Sequence, residues 1–97
     1  MIVTKELIIE INKMIGETGH LRDDATLDYI VEHSTNKAKD IATKHPFIDG
    51  NKRTAFILWK LYDDYTIHQN LELPRILSKV TWLIDDNKDW LDILKEC

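Results

Sequence analysis

The chain has 97 residues, of which 43% are hydrophobic and 31% charged, with a net charge of −4. This length allows a single domain, residues 1–97, with one modest core, and the negative charge argues against general nucleic-acid binding. No apolar run approaches the roughly 18 residues of a membrane span, the N-terminus lacks a signal-peptide layout, and a lone cysteine, Cys97, excludes an internal disulfide and makes a soluble, cytoplasmic protein the expectation.

Thr4 is placed to cap a first helix running to about Ile15, with Leu7, Ile8, Ile11 and Ile15 on one stripe. Gly16 and Gly19 bracket a turn. Asp23 or Asp24 can cap a second, shorter helix that turns Leu27, Ile30 and Val31 inward. Ser34 can cap a third, with Ala38, Ile41 and Ala42 on one face. Pro46 disfavours helical geometry at His45, so this helix should end near Lys44, with His45 held extended.

Residues 51–65 are the richest in apolar side chains. Ala55, Phe56, Ile57, Leu58, Trp59, Leu61, Tyr62 and Tyr65 cover most of a helical circumference, the pattern of a central helix. Residues 66–73 read as a connection, with a short extended piece allowed. Pro74 suits the start of a further helix with Leu77, Val80, Leu83 and Ile84 inward. Asn87 can cap a last helix carrying Trp90, Leu91 and Leu94. The expected fold is all-α, about five to six helices around a central one. Trp59, Trp82 and Trp90 are expected in the core, and His20, His33 and His68 on the surface.

Charge is unevenly spread. Residues 37–60 hold Lys37, Lys39, Lys44, Lys52, Arg53 and Lys60 against only Asp40 and Asp49. A basic island on an acidic body suits a compact anion better than a long polyanion.

Within that island lies His45-Pro46-Phe47-Ile48-Asp49-Gly50-Asn51-Lys52-Arg53. Phe47 can anchor the loop in the core. Asp49 is a hard oxygen ligand suited to Mg²⁺. Gly50 permits backbone angles closed to other residues. Asn51, Lys52 and Arg53 fall at the start of the central helix, where free N–H groups and the helix dipole favour an anion. Two cations there cost about a few tenths of a kcal/mol, a cost easiest to understand if an anion normally sits beside them. Positioned phosphates, a metal and a base are what phosphoryl or nucleotidyl transfer needs, and histidine is the side chain suited to take a proton near neutral pH.

This loop closely resembles the signature of the Fic/Doc family, His-x-Phe-x-Asp/Glu-Gly/Ala-Asn-Gly/Lys-Arg, at every defining position. The ending Lys52-Arg53-Thr54-Ala55 resembles the Doc, death-on-curing toxin branch. Typical Fic adenylyltransferases carry Gly where Lys52 stands and a second Arg where Phe56 stands. The resemblance implies a Fic-type helical domain and a transferase using ATP and Mg²⁺. His45 would be the general base for a target Ser, Thr or Tyr hydroxyl, and Asp49 the metal ligand. Gly50, Asn51, Lys52 and Arg53 would hold the nucleotide phosphates.

For a Doc-like chain the resemblance implies phosphate transfer, the γ-phosphate facing His45, and restraint by an antitoxin partner chain. Adenylyl transfer by the same loop is the alternative, and a non-catalytic nucleotide- or protein-binding module is another. The family's target-aligning β-hairpin flap precedes the loop. The short stretch from Val31 to Thr43 leaves this flap shortened or absent.

Overall fold

The computed structural model describes residues 2–64 and 72–95. Among them the chain forms six helices and no strand: α1 (Lys5–Met14), α2 (Asp24–His33), α3 (Lys37–Lys44), α4 (Asn51–Asp64), α5 (Leu73–Asp86) and α6 (Lys88–Lys95). This is the expected all-α arrangement of about five to six helices. Only Ser34, Thr35 and Asn36 join α2 to α3, so no flap hairpin stands before the loop. The expected connection at 66–71 and Tyr65 lie outside the described residues, as do His68 and Cys97. No helix among the described residues is long and apolar enough to cross a membrane.

The caps show why the helices begin where they do. The Thr4 hydroxyl accepts from the Leu7 N–H at 3.1 Å, and the Asp23 carboxylate accepts from the Thr26 N–H at 3.2 Å, each satisfying a donor the helix leaves orphaned. Pro74 stands in the first turn of α5, where its missing N–H costs nothing. Two expected caps are corrected. Ser34 terminates α2, and α3 is capped by Asn36, whose Oδ1 accepts from the Lys39 N–H at 3.1 Å. Ser34 is too far upstream because the turn between the helices consumes residues 34–36. Asn87 does stand before α6, its carbonyl accepting from the Leu91 N–H at 3.0 Å, but its side chain faces backward, Nδ2 donating to the Leu83 carbonyl at 2.8 Å, so the side-chain cap serves α5.

Helix α4 is the central helix, packed against α1, α3, α5 and α6. Its Ala55, Ile57, Leu58 and Leu61 are buried with Leu7, Ile8 and Ile11 of α1, Leu27 and Ile30 of α2, Ile41 of α3, and Ile76, Val80 and Leu83 of α5. Phe47 fills the same core from the loop. Ile76 was missing from the expected inward set; Leu77 and Ile84 are only partly buried. The three tryptophans are a further correction: Trp59, Trp82 and Trp90 are 50%, 54% and 58% exposed. Aliphatic side chains fill the core, and two of the indoles carry a lysine instead. Lys60 Nζ lies 5.0 Å from the Trp59 ring and Lys79 Nζ 4.1 Å from the Trp82 ring, within cation–π range.

Candidate active site

The loop is suspended between α3 and α4, and two sets of hydrogen bonds fix it. The first comes from the stretch before α2. Leu21 and Phe47 form an antiparallel bridge. The Arg22 N–H donates to the Pro46 carbonyl at 2.7 Å, and the Ile48 N–H donates to the His20 carbonyl at 3.1 Å. The Arg22 guanidinium reaches across to the end of α3, donating to the Lys44 and His45 carbonyls at 3.0 and 2.9 Å. A cation on the last carbonyls of a helix is favourably placed.

The second set is buried. Asn12, 1% exposed on α1, donates from Nδ2 to the Asp49 carbonyl at 3.0 Å and to the Thr54 hydroxyl at 3.1 Å. Its Oδ1 accepts from the Gly19 N–H at 2.9 Å. One amide thus ties together α1, the glycine turn, the loop and the start of α4. Asn51 exchanges two bonds with Phe47: its Oδ1 accepts from the Phe47 N–H at 2.8 Å, and its Nδ2 donates to the Phe47 carbonyl at 2.9 Å.

This scaffold brings all six residues singled out in the sequence to one place. His45, Asp49, Gly50, Asn51, Lys52 and Arg53 line a single cleft of about 240 Å³, closed on its far side by Leu94 and Lys95 of α6. The side chains of His45, Asp49 and Lys52 are exposed. Among the described residues none of these three side chains has a protein hydrogen-bond or ion-pair partner. Gly50 has φ +75°, as the turn into α4 requires.

His45 is the C-cap of α3, in the left-handed region at φ 53° and ψ 62°. The expected extended conformation is therefore corrected. Pro46 does bar right-handed helical geometry at His45, but the chain leaves α3 through a left-handed cap, with the His45 N–H donating to the Ile41 carbonyl at 3.3 Å. Among the described residues His45 is the one non-glycine with positive φ. Such conformations cost free energy and collect at functional sites.

Arg53 is only 8% exposed. Its NH1 donates to the Ile15 carbonyl at 3.1 Å, and its NH2 bonds the Glu17 carboxylate. Ile15 is the C-cap of α1, so Arg53 also neutralises that helix end while its edge lines the cleft.

Asn12, Glu17 and Arg22 carry this geometry and were not singled out from the sequence. Asn12 left one sign: it is a polar residue on the apolar stripe of α1, four positions after Ile8. Glu17 and Arg22 left none, because their partners are distant in sequence.

No curated protein and no solved structure matches this chain. A model of the Fic/DOC family matches residues 28–62, from within α2 through α3 and the loop into α4. That stretch is thus similar to the Fic/DOC family, and every residue of the loop from His45 to Arg53 falls inside it.

Proposed function

We infer that the chain modifies proteins by transferring the γ-phosphate of ATP to a Ser, Thr or Tyr hydroxyl. The observation that carries this reading is the convergence of His45, Asp49, Lys52 and the first turn of α4 on one polar cleft. Lys52 and the N–H groups that an α-helix leaves free in its first turn would receive the phosphates. Gly50 lets the backbone come close to them. The Asn51 side chain is engaged with Phe47, so its own contribution is through the main chain. The Arg53 guanidinium is engaged with Ile15 and Glu17, so its part is to hold the first turn of α4 in place behind the cleft.

Asp49 fits a Mg²⁺ ligand, since its carboxylate is exposed on the cleft and has no protein partner among the described residues. When bound, the ion would neutralise phosphate charge. His45 accepts the hydroxyl proton as the acceptor oxygen bonds to the γ-phosphorus. The bond from that phosphorus to the bridging oxygen breaks, and ADP leaves. A reaction drawing on ATP suits a cytoplasmic protein, and the Doc-like ending Lys52-Arg53-Thr54-Ala55 supports reading the chain as a toxin restrained by an antitoxin chain.

A specific observation favours a second reading, a nucleotide-binding module without transfer: α2 and α3 are joined with no flap between them. Incubation with γ-labelled or α-labelled ATP and candidate acceptor proteins separates the readings. Label from the γ position, lost in His45→Ala with Mg-ATP binding retained, is the expected result. Label from the α position would establish adenylyl transfer instead, and binding without transfer would establish the module.

A further inference from the structure

Beside the cleft runs a second depression of about 470 Å³, floored by Ala38, Ala42, Ala55 and Phe56 and walled by Trp59 and Leu94. It shares Lys52 and Leu94 with the cleft, so the two are neighbours. A smaller hollow continues it past Trp59 to Lys37 and Tyr62.

The character of this groove differs from that of the rest of the molecule. Over the whole chain acidic residues outnumber basic ones, 17 to 13. Among the described residues the groove and its extension hold Lys37, Lys39 and Lys52 and no carboxylate. Lys60 lies over the Phe56 and Trp59 rings and adds a fourth cation to the rim. An apolar floor between lysines, half-roofed by an exposed indole, is complementary to a chain segment that pairs aliphatic or aromatic side chains with carboxylates.

We propose that this groove docks an acidic, apolar-studded segment of the acceptor protein, placing the neighbouring hydroxyl at His45. The inference rests on the phosphotransferase reading. It supplies what the missing flap leaves open, because the described residues offer no hairpin edge for strand addition. Lys52 borders both the groove and the cleft, so a segment lying in the groove would sit beside the reacting position. Ala38, Ala42 and Ala55 keep the floor low enough to admit side chains from the partner.

The test uses a displayed library of random twelve-residue peptides selected on the full chain, with counter-selection on Ala42→Arg. Enriched peptides should be acidic and carry aliphatic or aromatic residues, and Ala42→Arg should weaken them at least tenfold. Amide and indole NMR spectra then locate the peptide and, separately, Mg-ATP. The peptide should move the Trp59 indole and the amides of residues 38–43, while Mg-ATP moves those of 50–53. Thr43→Arg, on the exposed edge of α3, serves as the second variant if Ala42→Arg does not fold. Selection of basic or uncharged peptides, or no selection, would overturn the proposal. So would a Trp59 signal that responds to Mg-ATP alone, making the groove a nucleoside pocket, or to protein concentration alone, making it a self-association face. If Mg-ATP leaves residues 50–53 unmoved while the peptide still binds, the phosphotransferase reading fails and the docking surface stands.

Discussion

The guanidinium of Arg53 is bonded to the carboxylate of Glu17, 36 residues earlier in the chain. The pair links the turn after α1 to the first turn of α4, and the Arg53 side chain is nearly buried. Removing one partner of a buried pair leaves the other charge without compensation. Glu17→Ala should therefore destabilise the fold by about 2–4 kcal/mol, read from urea unfolding at constant m-value. A loss under about 0.5 kcal/mol, the usual range for surface changes, would show that the pair behaves as an exposed one.

The Glu17 side chain also passes close to Gly50. A Cβ at Gly50 would stand 2.6 Å from Glu17 Cγ, at a φ of +75° that side chains avoid. A shift of Glu17 to relieve that contact would disturb its bond to Arg53. Gly50→Ala should thus cost more in the native background than in Glu17→Ala, where part of the clash is gone. A double-mutant cycle should give a coupling of about 0.5–3 kcal/mol, and strict additivity would show that only backbone strain is at work.

Asn12→Ala strips partners from the Gly19 N–H, the Asp49 carbonyl and the Thr54 hydroxyl at once. Orphaned buried polar groups cost about 1–3 kcal/mol each when water cannot reach them, so a loss of at least about 2 kcal/mol is expected. The amides of residues 49–54 should exchange faster even under conditions where the rest of the fold is intact. Unchanged exchange there would mean that Asn12 does not hold the loop.

His45→Gly should separate stability from activity. Glycine occupies the left-handed cap of α3 without the penalty a side chain incurs. Relief of the left-handed penalty, about 1–2 kcal/mol, should exceed the freedom glycine adds to the unfolded chain, so the variant should be more stable and lose transfer entirely. A less stable variant would argue that the imidazole contributes packing, and retained transfer would remove it as the base.

Acid should uncap α2. Hydrogen bonds from the Thr26 side chain and main-chain N–H hold the Asp23 carboxyl below its ordinary value of 3.8. A depressed folded value means that the contribution is complete above pH 3.8 and is lost as pH falls through the lower folded value. Asp23→Ala should therefore melt lower than the native chain at neutral pH, with the gap closing below pH 3.8. A gap that does not change with pH would exclude the carboxylate as its source.

The local signals in the sequence determined most of the helices and the place of the chemistry. Thr4, Asp23 and Pro74 mark helix starts through bonds or angles that need only near neighbours, and the run from His45 to Arg53 is contiguous, so its pattern is visible in the chain itself. Ser34 and Asn87 show the limit of such signals: each has an amide or hydroxyl that can cap in either direction, and the packing of adjacent helices chose. The exposed tryptophans show it again, because a pattern of large apolar residues does not say which of them the aliphatic core has room for. Only the tertiary structure decided that Glu17 holds Arg53, that Asn12 holds the loop, that His45 leaves α3 through a left-handed cap, and that α6 closes the cleft. Those are contacts between residues far apart in sequence, and a chain's local periodicity carries no record of which distant group will fill a given hydrogen bond.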